Sequence, residues 1–292
     1  MKLTYYPGCT LKNKAENFEN SAIFTLNHLG VEVQELSRWN CCGTVFSLTT
    51  DDLMHHLAPI RNLIRVKEAN SDKVMTLCAM CFNTLKRANE YMKNDPEGLD
   101  KLNQFMYREK IKYDGDVEIL HLLELLKDEV KFENIKSKVV KPLTDLKVAS
   151  YYGCYLVRPQ EIGIDDVENP TIIEELIGLL GGIPVDFPYK TECCGAYQTV
   201  DKPEIVAERT FQILQSVQKN QADVVVVSCP LCAFNLDHRQ KETVQQFPEF
   251  KHIPVLYFTQ LMAIAFGSPE DVLRFDLHYI NPKPILKEKG LI

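Results

Sequence analysis

Short apolar runs alternate along this chain with longer stretches in which apolar residues recur every three to four positions, the mark of strands alternating with helices. Lys2–Tyr6 reads as a strand, and Phe18, Ala22, Leu26 and Leu29 form one face of a helix that Gly30 ends. Val31–Leu36 reads as a strand, Leu53–Glu68 as a helix and Val74–Leu77 as a third strand, with a helix opening at Cys81. After a charged insert near Asn94–Asp116, Val117–Leu120 is a fourth strand, and a helix begins over Leu122–Leu126. The plan then repeats. Lys147–Tyr152 is a strand, and Thr171 and Glu174 make a capping box behind Pro170 for a helix that stops at Gly181-Gly182. Ile183–Phe187 follows. The bare β-branched run Val224–Val227 suits a strand buried on both faces. Ile253–Tyr257 and Leu261–Phe266 echo Glu118–Leu126. The pattern predicts an α/β fold with two duplicated units, each a small, mainly parallel sheet flanked by helices. The units are expected over residues 1–140 and 141–266, with an extended tail at 267–292 that carries Pro282 and Pro284 and docks on a partner or on the body.

The cysteines repeat with the strands. The first half reads Gly8-Cys9, Cys41-Cys42-Gly43 and Cys78-x-x-Cys81; the second reads Gly153-Cys154, Cys193-Cys194-Gly195 and Cys229-x-x-Cys232, and these words use all 10 cysteines. Each word follows a predicted strand. Parallel βα units put such loops at the carboxyl edge of the sheet, where open α/β folds build their sites. Residues some seventy positions apart can therefore converge.

Composition narrows the chemistry. The chain has 292 residues, 45% of them hydrophobic, enough for real cores. A net charge of −7 argues against a nucleic-acid surface. The first residues lack a basic segment followed by an apolar one, and no apolar run approaches the ~18 residues that span a bilayer. A cytoplasmic protein with no membrane span is expected. There, clustered thiols hold metal or do redox work more often than they form disulfides. A Cys-x-x-Cys pair with two further cysteines would satisfy a tetrahedral zinc. Five thiols per half is one too many, and adjacent side chains diverge, so a vicinal pair reaches different atoms of a multinuclear cluster more easily than one ion. Thiolates suit iron–sulfur clusters and zinc alike, so zinc in either half stays open. Thiol exchange at a lone Cys-x-x-Cys would leave the Cys-Cys-Gly words and the duplication unexplained.

The doubled pattern, with the ending Asn281-Pro282-Lys283-Pro284-Ile285-Leu286-Lys287, resembles the CCG domains of the B subunit of heterodisulfide reductase over almost the whole chain. The resemblance implies a non-cubane 4Fe–4S cluster in each half. Cys9, Cys41, Cys42, Cys78 and Cys81 would hold one; Cys154, Cys193, Cys194, Cys229 and Cys232 would hold the other. It implies a small disulfide reduced between the clusters in two one-electron transfers, each cluster giving one electron and taking one sulfur. In methanogen enzymes that disulfide joins coenzyme M and coenzyme B. It also implies a complex in which a ferredoxin-like iron–sulfur (C-type) subunit, fed by a flavoprotein (A-type) subunit, supplies electrons; the chain has no nucleotide or phosphate-loop motif of its own. Methanogen proteins carry Cys-Cys-Pro in the first vicinal word. Here Gly43 follows Cys41-Cys42, after Trp39-Asn40, which looks more like the B-subunit homologues of bacteria and of some archaea, so a related disulfide or another acceptor is in view. Two other classes stand beside this one: a non-catalytic electron-transfer subunit of a flavin-based bifurcating complex, and a zinc-stabilised binding module.

Lys12, Arg38, Arg158 and Lys190 lie near cysteine words and are candidates for binding an anionic thiol substrate, although loop cations are more often solvated. His55 and His56 could be metal ligands but read as a helix surface after Asp51-Asp52, and His121 and His278 are open to the same two readings. Trp39, the only tryptophan, is expected to pack beside the first cluster, and Pro230 to remove a backbone donor near the thiolates.

Overall fold

The computed structural model describes residues 1–44 and 53–292. Strands β1 (Lys2–Tyr5), β2 (Glu32–Glu35), β3 (Lys73–Thr76) and β4 (Glu118–His121) form one sheet, ordered β2-β1-β3-β4, with every pair parallel. Strands β5 (Lys147–Tyr151), β6 (Ile183–Val185), β7 (Val224–Val227) and β8 (Val255–Tyr257) form a second, ordered β6-β5-β7-β8 and again all parallel. The two orders are one permutation, so the duplication extends from the cysteine spacing to the topology. All four valines of β7 are fully buried, as a strand covered on both faces must be.

Helices make the crossovers. In the first half they are α1 (Glu16–His28), α2 (Leu57–Glu68), α3 (Ala79–Asn94) and α4 (Pro96–Phe105). Helix α4 occupies the charged insert, with Pro96 opening it and Asp95 accepting the Gly98 N–H at 2.9 Å. α5 (Leu122–Glu124) continues through a π-helical stretch, Leu125–Lys131, into α6 (Phe132–Ser137). The second half has α7 (Ile172–Leu179), α8 (Pro203–Lys219), α9 (Pro230–His238), α10 (Gln240–Gln246) and α11 (Phe258–Ala265).

Two expectations are corrected. Thr171 is the N-cap of α7, but no capping box forms. Its hydroxyl donates to Glu175 at 2.9 Å, and the Asp165 carboxylate accepts the Thr171 and Ile172 N–H groups at 2.7 and 2.8 Å. Glu174 turns inward instead, to the Tyr152 hydroxyl and the Lys190 ammonium, because a charge-assisted bond in the interior outweighs a local cap. The tail is not extended either. It folds into α12 (Glu270–Leu273), a 3-10 turn at Phe275–Leu277 and α13 (Lys283–Glu288). Pro284 sits in the first turn of α13, where no N–H is needed. The tail docks on the body. Asp237 accepts the Tyr279 and Ile280 N–H groups at 2.7 and 3.0 Å, Arg274 pairs with Glu16 at 2.7 Å, and Leu273, Phe275 and Leu286 are buried.

The halves share one continuous core. Helix α1 packs along α11, where Phe18 stacks on Tyr257 with ring centroids 4.2 Å apart and the buried hydroxyls of Ser21 and Thr259 meet at 2.7 Å. The exchanged counterpart is α6 against α7.

Candidate functional site

In each sheet the two central strands send their connections in opposite directions, which opens a crevice at their carboxyl ends. Gly8-Cys9 leaves β1 and Cys78 follows β3 at that crevice, while Cys41-Cys42 follows β2 one strand out; Cys154, Cys229 and Cys193-Cys194 repeat this on β5, β7 and β6. Cys78 and Cys229 are the N-cap residues of α3 and α9, in extended conformation, and Cys81 and Cys232 lie in the first turns. The positive ends of two helix dipoles thus face four buried thiols.

All ten thiols are free. Within each vicinal pair one thiol turns inward and one outward: Cys42 and Cys194 are buried, Cys41 and Cys193 exposed. This is the divergence expected of adjacent side chains. The Cys9 and Cys41 sulfurs are 4.0 Å apart, and those of Cys194 and Cys232 are 3.5 Å apart. A narrow cavity of about 20 Å³ is lined by all five second-half cysteines, Cys154, Cys193, Cys194, Cys229 and Cys232, with Ala79 and Met80 of the first half across from them. Among the described residues no three His, Cys, Asp or Glu side chains form the ligand set of a single ion. The thiols line a wall instead of closing on a point.

Backbone geometry makes room for the sulfurs. Gly8 and Gly153 hold left-handed backbones at φ +71 and +65, and an added Cβ would stand 2.9 Å from Cys81 Sγ and 3.2 Å from Cys232 Sγ. The two Cys-x-x-Cys turns meet across the boundary between halves. The Ala79 N–H donates to the Ser228 carbonyl at 3.3 Å, and Cys78 and Cys229 shift each other's pKa, Cys78 upward and Cys229 downward. Crowded thiols share protons unequally. Cys193 is lowered to about 6, first by the bond from Cys154; Cys42 is lowered by bonds from Cys41 and Cys81, and Cys229 by bonds from Cys232 and Cys78. Cys42 in the first half and Cys193 and Cys229 in the second are thus held toward the thiolate, while Cys81, Cys78, Cys154 and Cys232 are pushed up as their partners.

The four candidate cations are all paired. Lys12 bridges Glu19 and Glu35 at 2.7 and 2.6 Å, and Arg38 pairs with Glu68. Arg158 donates to the Thr191 carbonyl at 2.7 Å and to Glu168 at 3.0 Å; Lys190 lies 3.0 Å from Asp186 and 3.4 Å from Glu174. The buried histidines hold structure. His121 Nδ1 accepts the Leu123 N–H at 3.1 Å, so Nε2–H donates to the Leu77 carbonyl at 2.9 Å, beside Cys78; burial lowers its pKa to about 3. His278 Nε2 accepts from Asn17 and Gln260 at 3.1 and 2.9 Å, and burial lowers it to about 4. His55 and His56 fall in a 3-10 turn, where His56 stacks on Tyr91 at 4.5 Å; Asp51 and Asp52 lie outside the described residues. Trp39 packs edge-on against Tyr6, whose hydroxyl donates to the Asn40 carbonyl at 2.8 Å just before Cys41.

Sequence reasoning missed His121 as the support of Cys78, and it missed two amides. Asn62 exchanges hydrogen bonds with the Asn40 backbone at 2.9 and 3.0 Å, fixing the approach to Cys41. Asn235 reaches Cys194 from α9. The available signal for Asn235 was its place in the first turns after Cys-x-x-Cys, where a polar residue on a buried face needs a partner.

No described helix is long and apolar enough to cross a membrane. Residues 3–86 and 148–237 each match the family profile of the cysteine-rich domain, CCG. The chain is 32% identical over 281 residues to the 8-methylmenaquinol:fumarate reductase membrane anchor subunit of Wolinella succinogenes, covering 96% of this chain and 97% of that one. It is 30% identical over 285 residues to the B subunit of the Ferredoxin/F(420)H(2)-dependent CoB-CoM heterodisulfide reductase of Methanosarcina acetivorans, covering 96% and 94%. A hypothetical protein from Helicobacter pylori has the same fold at a TM-score of 0.75 and 13% identity; the match covers 94% of this chain, which spans about half (51%) of that one.

Proposed function

The chain belongs to the cysteine-rich CCG-domain family that includes the B subunit of heterodisulfide reductase, and from that premise we propose that it is the catalytic iron–sulfur subunit of a heterodisulfide reductase-type complex. The observation that carries the proposal is the lining of one cavity by all five second-half thiols. The first half carries the same words on equivalent loops. A donor set of five thiols, with one member of each vicinal pair turned out, exceeds the four ligands of a tetrahedral zinc and fits a multinuclear cluster. We assign Cys9, Cys41, Cys42, Cys78 and Cys81 to one non-cubane 4Fe–4S cluster, within a unit at 1–140. Cys154, Cys193, Cys194, Cys229 and Cys232 go to a second, within a unit at 141–266. When bound, the two clusters supply one electron each to a disulfide, whose reduction takes two.

The chain's own residues prepare that chemistry. The N-termini of α3 and α9 favour thiolates at the buried pairs. His121 and Asn62 hold the loops that carry Cys78 and Cys41. Ala79 and Met80 shield the second-half thiols from the first-half side. The substrate is a small disulfide, coenzyme M–coenzyme B or a relative, and electrons arrive from a ferredoxin-like subunit with a flavoprotein beyond it. Lys12, Arg38, Arg158 and Lys190 would have to exchange a carboxylate or carbonyl of the chain for a substrate anion, so their first role is to brace the cysteine loops.

Anaerobic metal analysis tests the site: about eight irons and as many sulfides per chain are expected, and one or two zincs without iron would refute it. Cys81→Ser should remove one cluster and abolish disulfide turnover with an artificial donor. Full turnover with one cluster would refute shared cleavage. The 32% identity to a membrane anchor subunit of a fumarate reductase favours a second reading, a subunit that passes electrons to an acceptor other than a disulfide. Failure of the iron-loaded chain to reduce any candidate disulfide would favour it.

A further inference from the structure

The two halves repeat their cysteines but not the residues that touch them. Asn235, fully buried on α9, stands six residues after Cys229. Its Nδ2 donates to the Cys194 carbonyl at 3.0 Å and lies 3.5 Å from Cys194 Sγ, while its Oδ1 has no partner. The amide cannot turn over, because Oδ1 would then oppose the carbonyl oxygen. In the first half the residue six after Cys78 is Thr84, whose hydroxyl donates to the Met80 carbonyl of its own helix at 2.8 Å. Among the described residues no side-chain amide donates to a first-half sulfur.

A second difference points the same way. Sixteen residues after Cys193 stands Arg209, whose Nε donates to the Cys193 carbonyl at 2.9 Å. Sixteen after Cys41 stands Leu57. The second half therefore places an amide donor on one thiol and a guanidinium beside the other.

We propose that Asn235 makes the two halves electronically unequal, its N–H on the Cys194 sulfur holding the second-half cluster at a higher reduction potential than the first. The proposal rests on the reading that both halves bind clusters. An added electron increases the negative charge on thiolate sulfur, so a donor to that sulfur stabilises the reduced state more than the oxidised one. One electron enters each half, and no bond is made or broken in this step. The first electron to arrive rests in the second half and the next in the first, which gives the two transfers an order that the duplicated cysteines do not.

The test is an anaerobic dithionite titration of the iron-loaded full chain, followed by electron paramagnetic resonance. Cys232→Ser identifies the second-half signal by removing it. That signal is expected to appear at the higher potential. At its wild-type midpoint, Asn235→Leu should lower its reduced-to-oxidised ratio about fivefold, the weight of one net hydrogen bond. Asn235→Asp should lower it further, since a carboxylate offers no donor and adds charge; Thr84→Val should move neither signal. Coincident signals, a higher first-half potential, or an Asn235→Asp chain with full iron and an unmoved signal would overturn the proposal while leaving the clusters in place. A wild-type chain that binds no iron would instead overturn the reading of the site. Coincident potentials or a higher first-half potential in wild type overturn the proposal even if both Asn235 variants fail to fold.

Discussion

Replacing Gly8 with alanine should do more damage than replacing Gly30, although both glycines hold left-handed backbones, at φ +71 and +75. An L side chain in that region costs about 1–2 kcal/mol. Gly30 follows α1 with nothing within 4 Å of an added Cβ, so Gly30→Ala bears only the backbone cost. At Gly8 the Cβ would stand 2.9 Å from Cys81 Sγ and 3.5 Å from the Tyr6 ring. Cys81 is 7% exposed, so its sulfur cannot swing into solvent. Overpacking of this kind adds about 1–3 kcal/mol, and the relief must come from Cys81, a proposed ligand. Gly8→Ala should therefore cost about 2–5 kcal/mol and also lower first-half iron. Gly30→Ala should keep full iron. Gly153→Ala, with its Cβ 3.2 Å from Cys232 Sγ, should fall between them in stability and lose second-half iron. Urea unfolding and iron content after anaerobic reconstitution read both effects. Equal losses of stability with full iron in all three variants would refute the idea that these glycines exist to admit a sulfur.

Two further perturbations probe the body. Burial pushes the Asp237 carboxyl up to about 6, against the pull of the Ile280 and Tyr279 N–H groups. The folded chain thus holds this proton more tightly than the unfolded chain, where the group titrates near 4, and its contribution to stability falls as pH rises from about 4 through about 6, by roughly 3 kcal/mol. Asp237→Asn keeps an acceptor for the tail and removes the titration, so its unfolding free energy should gain on wild type across that window; a difference flat between pH 4 and 7 would refute the assignment. Phe18→Ala, at a fully buried ring stacked on Tyr257 of the other half, should cost about 3–5 kcal/mol and split the melt into two transitions, whereas a single unshifted transition in calorimetry would show that α1 and α11 do not couple the halves.

The strands and the duplication were legible because cysteine words end strands, and an apolar run before a cysteine loop has few other readings. Strand ends were overrun by a residue or two, as at Val31–Leu36 against Glu32–Glu35, since the approach to the loop stays apolar after the ladder has stopped. The sheet order was not legible: a strand such as Val224–Val227, buried on both faces, shows no alternation and so carries no trace of its neighbours. Tertiary competition hid the rest. Glu174 left its capping box for Tyr152 and Lys190, groups fixed by other elements. Pro284 suggested extended chain but serves at the start of a helix because Leu286 has a core to enter.

Nearness in sequence to a cysteine word also proved a poor guide to what acts on the thiols. Lys12, Arg38, Arg158 and Lys190 meet that criterion, and each is engaged by an acid of the chain. Three of the groups that reach a thiol or fix its loop are neutral, the Asn235 amide, the Asn62 amide and the His121 imidazole, and a fourth, the Arg209 guanidinium on the Cys193 carbonyl, is charged. A repeated motif preserves the cysteines, while the positions around them are free to diverge. Thr84 against Asn235 and Leu57 against Arg209 are such divergences. On the proposed function, two sites that start identical and pass electrons in sequence gain direction only from differences of this kind, so the non-cysteine positions of the repeat would decide which half is the first acceptor and which the second.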